Sequence, residues 1–352
     1  MIVGVALLLG ATIAVLSACL LLILGVVAVR ARRHSRKQRD EMLLAPLRPP
    51  LITVAAGEDD DGSAAEALTW ATGVSRTVLD RYIVDMLTKI RGGPAEQLVQ
   101  VLQVHGAVDA AVGDLSSRSS VKRARAAQLL GLARAGHTVP LLVEALRDES
   151  VEVRNSAAYA LGLIGDASAA GPVLAAIGLP DRGLPAATAA EALQSMGVGI
   201  ADVLREGLND DNARTRMVAA HLSGERSFTR GLPELRHLLA HDPDVTVRET
   251  CAVAIGRLGR AEDAAVLARH TGATEPLPLR RACVTAIGEL AEPTAVPTLA
   301  GLLGDPDPRL AELAASALIA MGSDGRDALA GHEDDAAVRS ARLVADLQKS
   351  AA

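Results

Sequence analysis

The sequence predicts an all-α fold: an α-solenoid, a superhelical array of stacked helix pairs, preceded by one transmembrane helix. Two patterns predict it, a helical motif that returns every 31 to 32 residues and an unbroken apolar stretch over residues 2–29. Composition agrees, because 49% of the 352 residues are hydrophobic but only 1% are aromatic, so alanine and leucine must fill the core. Closely packed short helices suit such a core better than a β-sheet, which favours aromatic and β-branched side chains.

The first element is the apolar stretch at residues 2–29, which holds no charge and no proline over 28 positions. As an α-helix it would be about 42 Å long at ~1.5 Å per residue, enough to cross a hydrocarbon core of ~30 Å with some tilt. Cys19 follows Leu-Ser-Ala, as in a lipoprotein cleavage box, but ten apolar residues come after it. We therefore predict an uncleaved, single-pass span rather than a lipidated terminus.

A basic segment follows the span. Six Lys or Arg and no acid lie within residues 30–39, and no basic residue precedes the span. This asymmetry predicts an N-out, C-in topology in the cell (inner) membrane, with the repeats in the cytoplasm; the same charges could also bind anionic lipid headgroups. The formal net charge is −6, so residues 40–352 carry −12, and this acidic part lacks the basic stripe and stacking aromatics of a nucleic-acid binder.

Residues 30–63 are predicted to be a basic juxtamembrane segment and flexible linker. Between Asp40 and Ser63 three prolines and an acidic run leave no helical or strand period. The α-solenoid is then predicted over residues 64–352. Its first repeat holds the larger side chains Trp70 and Tyr82, which we expect to form a capping repeat that differs from the others.

The repeats themselves are clearest in Asp242–Gly259, DPDVTVRETCAVAIGRLG, and in the copy 94 residues earlier, Asp148–Gly165, DESVEVRNSAAYALGLIG. Apolar residues at steps of three and four place one face of each second helix in the core. The first helices are predicted at residues 105–116, 137–147, 168–178, 199–208, 230–240, 261–270, 293–303 and 323–331. The second helices are predicted at residues 119–135, 150–164, 184–196, 211–224, 244–258, 276–290, 307–321 and 334–349.

These residues resemble HEAT repeats of the short type shared by phycobilisome-lyase-like proteins, over about residues 105–349. The specific signs are an acid six residues before an arginine and then an AAxALG-like helix. In that family the pair forms a ladder of side-chain hydrogen bonds between repeats. The resemblance therefore implies a structural role for Asp148, Arg154, Asp210, Arg216, Asp242, Arg248, Glu333 and Arg339. Ala186 and Ala311 stand at the arginine position of two repeats, where we expect the ladder to break.

A search for chemistry finds no catalytic, cofactor-binding or metal-binding set. His237 and His241 have zinc-ligand spacing, but the glutamate of a metalloprotease motif is absent, which favours solvated histidines. Deoxyhypusine hydroxylases, which are also built on HEAT repeats, bind iron through several His-acid pairs; this sequence has two such pairs, at residues 241–242 and 332–333. Cys251 and Cys283 occupy the same small inward position of consecutive repeats, so we interpret them as core residues.

The exposed positions of the second helices, which line the concave face of such an array, could form a groove for a protein partner, or could be an ordinary solvated face. The segment at residues 224–231, GERSFTRG, is a second candidate because it is irregular, although a loop with no binding role is the alternative. The candidate contact residues are Arg125, Tyr159, His221, Arg226, Phe228, Glu249, Arg281 and Thr285.

From these observations the sequence predicts a non-catalytic, membrane-tethered scaffold or adaptor. It would bind a protein partner, such as a membrane enzyme or complex, on the cytoplasmic face, with no small-molecule substrate. The alternative is an enzyme, or enzyme subunit, of the lyase or hydroxylase type known in the HEAT-like group.

Overall fold

The computed structural model describes residues 22–24, 27, 30, 34, 35 and 38–351, and within them every regular element is an α-helix or a 3-10 helix. The predicted transmembrane helix at residues 2–29 lies almost entirely outside this described part. Of the helices that are described, none is long and apolar enough to cross a membrane. The chain divides into two compact units, residues 1–111 and residues 112–352.

The first unit is built from short helices around an aliphatic core. Its buried side chains include Leu51, Leu68, Ile83 and Leu98. Trp70 is 76% exposed and Tyr82 is 48% exposed, so neither aromatic side chain fills this core. The helices are α1 Arg48–Ala56, α2 Ser63–Thr69, α3 Gly73–Leu87 and α4 Gly93–Val104, and α5 Ala107–Asp114 spans the division between the units.

Helix α1 lies where the sequence predicts a flexible linker, and that prediction is wrong for residues 48–56. Two consecutive prolines fall in the first turn of α1, where backbone N–H groups have no helical partner and proline is tolerated. Leu51 and Val54 are buried as α1 packs against α2 and α4. Within the acidic run, Asp59 accepts hydrogen bonds from the backbone N–H groups of Ala64 and Ala65, at 2.9 Å each, and so orders the start of α2.

The second unit is a stack of helix pairs, as predicted. Neighbouring second helices pack side by side, and first helices pack against the second helix that follows. The first helices are α7 Val139–Ala145, α9 Ala170–Ala175, α11 Ala201–Gly207, α13 Leu232–His241, α15 Asp263–Ala268, α17 Val296–Gly301 and α19 Ser323–Ala328. The second helices are α6 Ser120–Leu132, α8 Val151–Ile164, α10 Ala186–Ser195, α12 Ala213–Glu225, α14 Val245–Leu258, α16 Leu277–Leu290, α18 Pro308–Ala320 and α20 Ala336–Ala351.

A glycine near the end of most second helices lets the next one approach closely. A Cβ added to Gly131 would lie 2.4 Å from the Cα of Ala160, and one added to Gly162 would lie 2.9 Å from the Cα of Ala192. Gly224, Gly256 and Gly288 meet the equivalent alanines in the same way. The Ala-Leu-Gly part of the motif is thus the contact between repeats. In α10 the equivalent position is Gln194, so the seam between α10 and α12 lacks this glycine contact.

The two cysteines of the second unit lie in this core, as predicted. Cys251 and Cys283 are fully buried, and burial raises the pKa of each thiol to about 12.

Candidate functional site

Arginine side chains link consecutive repeats at the N-terminal ends of the second helices. Arg123 donates from Nε and Nη2 to the two oxygens of Asp148, at 2.7 Å each. Arg216 donates in the same way to Asp242, at 2.6 and 2.9 Å. This paired geometry is the one in which a guanidinium binds a carboxylate most strongly, and the bond to Asp242 raises the pKa of Arg216.

Each of these arginines also holds the turn of its own repeat. Arg216 Nη1 donates to the main-chain carbonyls of Asp210 and Asp211, at 2.8 and 2.9 Å. The carboxylate that it binds is ordered too, because Asp242 accepts the backbone N–H of Asp244 at 2.8 Å. One arginine therefore joins two successive turns. Its Nη1 binds the turn of its own repeat, and the fork formed by Nε and Nη2 binds the acid of the next repeat. In the pairs Asp148 with Arg154 and Asp210 with Arg216, which are six residues apart in one repeat, the arginine binds the acid's main-chain carbonyl and not its carboxylate.

Two later seams vary this arrangement. Arg248 donates to Glu275 at 2.7 Å, and His270 Nδ1 lies 2.8 Å from the same carboxylate oxygen. The bond from Arg248 holds the pKa of Glu275 below its ordinary value, more than burial raises it. Arg280 binds Asp305 in the next repeat. The roles of Arg123, Arg280, Glu275 and Asp305 were not predicted from the sequence. An arginine followed by an acid 25 to 27 residues later was the signal that could have found them.

The ladder is incomplete where Ala186 replaces the arginine. Asp210 accepts the backbone N–H of Asn212 at 2.7 Å, and no arginine of the described residues binds its carboxylate. One repeat earlier, it is the acid that is missing. Arg154 Nη1 donates to the carbonyls of Asp148 and Glu149 at 2.9 and 3.2 Å, but Nε is buried without a hydrogen-bond partner.

The last seam has Ala311 at the arginine position. Here the Glu333 carboxylate lies 3.9 Å from Arg342, within its own repeat. The side chain of Arg339 forms no ion pair with the described acids.

The candidate contact residues on the second helices do not form one class. Arg125, Tyr159, His221 and Thr285 are exposed, whereas Glu249 is half-buried, and burial raises the pKa of its carboxyl group. Arg281 binds both oxygens of Asp307 in the next repeat, at 3.1 and 2.7 Å, so its charge is engaged within the array. The structure therefore leaves four of these six side chains directed to solvent.

The irregular segment after α12 is held against the preceding repeat. Arg226 donates from Nη2 to the backbone carbonyl of Gln194. Phe228 is half-buried, and Ser227 before it has a φ of +56°, a strained value for a residue with a side chain. Both candidate contact residues of this segment, Arg226 and Phe228, are therefore partly engaged in contacts within the chain.

The histidine pair that has zinc spacing forms no metal centre. His237 and His241 stack with ring centroids 4.8 Å apart, and His241 Nδ1 lies 3.1 Å from the carbonyl of His237. His332 Nδ1 lies 2.9 Å from Asp335. Across the described part of the chain, no group of three or more His, Cys, Asp or Glu side chains could hold a metal ion.

Comparison with known proteins identifies the repeats. The protein family described as HEAT repeats matches residues 110–194, 201–283 and 273–345. No curated protein matches the sequence.

Similar solved structures include the complex of CpcE and CpcF of phycocyanin lyase from Nostoc sp. PCC7120, at 20% identity and a TM-score of 0.34, covering 66% of this chain and 94% of that one. Human deoxyhypusine hydroxylase has 20% identity and a TM-score of 0.30, with 82% and 96% covered. Importin beta has 14% identity and a TM-score of 0.47, with 88% and 51% covered. At these identities and scores the likenesses carry no conclusion on activity or ligand.

Proposed function

Since the chain belongs to the HEAT-repeat family, we propose that it is a non-catalytic scaffold that binds a protein partner and is tethered to the inner face of the cell membrane. One observation carries the proposal. Four ladder arginines are bound to acids of the next repeat, while Arg125, Tyr159, His221 and Thr285 stay exposed along the second helices. An array of this kind presents an extended row of side chains from separate repeats, which suits a protein surface better than a small molecule.

The tether rests on the amino-acid sequence. Residues 2–29 carry no charge, and the six basic residues that follow favour a cytoplasmic location for everything after them. We expect the full chain to stay in the membrane fraction after alkaline carbonate washing, and a chain that lacks residues 2–29 to be released. In spheroplasts, protease added outside should leave the repeats intact. Digestion of the repeats in intact spheroplasts would contradict the proposed topology.

Partner binding can be tested with variants that change the exposed row alone. We propose Tyr159→Ala with His221→Ala, and as a matched control Arg147→Ala with Arg269→Ala, two exposed residues next to the first helices. The full chain is captured from mild detergent, and co-purifying proteins are quantified by mass spectrometry. A partner should be recovered with the control as with the unchanged chain, and lost with the first pair.

The same preparation tests the enzymatic alternative. Elemental analysis and an absorption spectrum of the purified full chain should show neither stoichiometric metal nor a bound chromophore. Either one, or the absence of any partner that depends on the exposed row, would overturn the scaffold proposal.

A further inference from the structure

Four seams of the array show what a ladder arginine binds. In each, Nη2 of the arginine of one repeat donates to a carboxylate of the next, and the carboxylates are those of Asp148, Asp242, Glu275 and Asp305. In Arg123 and Arg216 Nε binds the same carboxylate, whereas in Arg248 and Arg280 Nε donates to a main-chain carbonyl. The fork is a rigid, planar donor that fits two carboxylate oxygens. Arg154 has the same place in its repeat, and its Nη1 bonds to its own turn match those of Arg123 and Arg216, so its guanidinium is oriented as theirs are.

The fork of Arg154 is nevertheless empty. Arg154 is only 7% exposed, and its Nε is fully covered and has no hydrogen-bond partner. Nη2 has no hydrogen-bond partner among the described residues either, but it is not one of the fully covered atoms, so an incoming group can reach the guanidinium at Nη2. A buried, charged donor without an acceptor is costly, because the water that it lost is not replaced. An incoming carboxylate would give Nη2 of Arg154 the bond that Nη2 of the other four arginines already makes.

The nearby acids do not fill the fork. Asp148 is held by Arg123, and Glu152 binds the hydroxyl of Ser150 at 2.5 Å. Asp181 follows Arg154 by 27 residues, the same separation as Glu275 from Arg248. Its side chain is exposed, however, and it forms no ion pair within the described residues.

The loop that would deliver an internal acid has a different path. Residues 179–185 connect the 3-10 turn after α9 to α10, and Asp181 has a φ of +58°. This loop places its one acid in solvent. This seam therefore has the arginine of the ladder pair, but no acid of the described residues binds it.

We propose that Arg154 is a binding site for a carboxylate from outside the chain, and that this carboxylate is an acidic side chain of the protein partner. The identity of the anion follows from the four other ladder arginines, in all of which Nη2 donates to a carboxylate. The assignment to a partner rests on the proposed scaffold function, whereas carboxylate binding by Arg154 does not.

The first experiment observes the arginine directly. The full chain, labelled with ¹⁵N-arginine and held in mild detergent, gives Nε–H resonances, and Arg154→Lys identifies that of Arg154. A short peptide with two glutamates is added, with its glutamine counterpart as the control; sodium acetate and inorganic phosphate are titrated separately. The Arg154 resonance should shift saturably with the glutamate peptide, more weakly with acetate, and not with the glutamine peptide, while the resonance of Arg216 stays in place. Arg154→Lys should weaken peptide binding by roughly tenfold or more, as expected for loss of a charged hydrogen-bond pair.

Three results would overturn the proposal. One is an Arg154 resonance that responds to none of these additions, and another is tighter binding of phosphate than of the peptide. The third is a shift of the Arg154 resonance in Asp181→Asn without added ligand, since Asp181 would then be its partner in solution.

A second measurement separates this proposal from the scaffold function. If Arg154→Lys loses the peptide response but recovers the same partner in the capture experiment, the partner assignment fails and the scaffold proposal stands. If the partner is lost together with the peptide response, both are supported.

Discussion

Removing an arginine from an intact seam should destabilise the array far more than removing one from its surface. In Arg216→Leu the carboxylate of Asp242 would lose both fork bonds while its side chain is only 1% exposed. Arg216 itself is 11% exposed, so solvent screens the pair little. Breaking a buried ion pair from one side typically costs about 3–5 kcal/mol, because the remaining charge is left without a partner.

The measurement is unfolding of the full chain in mild detergent, followed by circular dichroism at 222 nm. A loss of this size corresponds to a fall in the unfolding midpoint of about 6–20 °C for a domain of this scale. Arg309→Leu is the matched control, because Arg309 pairs with Glu312 on the surface and is 60% exposed. It should change stability by no more than about 1 kcal/mol.

A second variant tests the cause of the loss. Arg216→Leu combined with Asp242→Leu removes both charges, so it should be more stable than Arg216→Leu alone. The reasoning is refuted if Arg216→Leu is no more harmful than Arg309→Leu, or if the double variant is less stable than the single one.

Three further predictions concern packing, pH and thiol reactivity. Gly131→Ala should lower stability by about 1–3 kcal/mol through overpacking, although Gly301→Ala, with open space around it, should not; thermal melts compare the two. Because Arg248 holds the pKa of Glu275 below its ordinary 4.5, this bond stabilises the fold above that pH and is lost as the pH falls through the lowered value. Glu275→Gln should therefore flatten the loss of stability at acidic pH in denaturation series. Cys251 and Cys283 should resist iodoacetamide at pH 8 until the chain is unfolded, as peptide mass spectrometry can show.

The repeat architecture could be predicted from the sequence because its period is set by contacts that recur. The second helix predicted at residues 244–258 is Val245–Leu258, and the one predicted at residues 276–290 is Leu277–Leu290. Small residues at fixed steps specify where the next helix lies, so local pattern and packing agree. Helix α1 was not predicted because three prolines and an acidic run, with no helical period, were interpreted as a flexible linker; Pro49 and Pro50 lie in the first turn, where they are compatible with a helix.

The bonding partners within the ladder could not be predicted in the same way. An acid six residues before an arginine looks like a bonded pair, but the carboxylate that the arginine binds belongs to the next repeat. Only the stacked structure shows that the Arg216 fork crosses to Asp242 while its Nη1 stays with Asp210. The same fact explains why one irregular repeat affects both of its neighbours: Arg154 is left without an acid and Asp210 without an arginine.

The seam between α10 and α12 lacks both stabilising devices, since Ala186 replaces the arginine and Gln194 replaces the glycine. In a linear array each unit touches only its neighbours, so cooperativity passes through every interface in series. Residues 112–195 and 213–351 should therefore behave as two foldons, and amide hydrogen exchange should report different opening free energies on the two sides. A mechanical load applied along the array would separate it first at this interface.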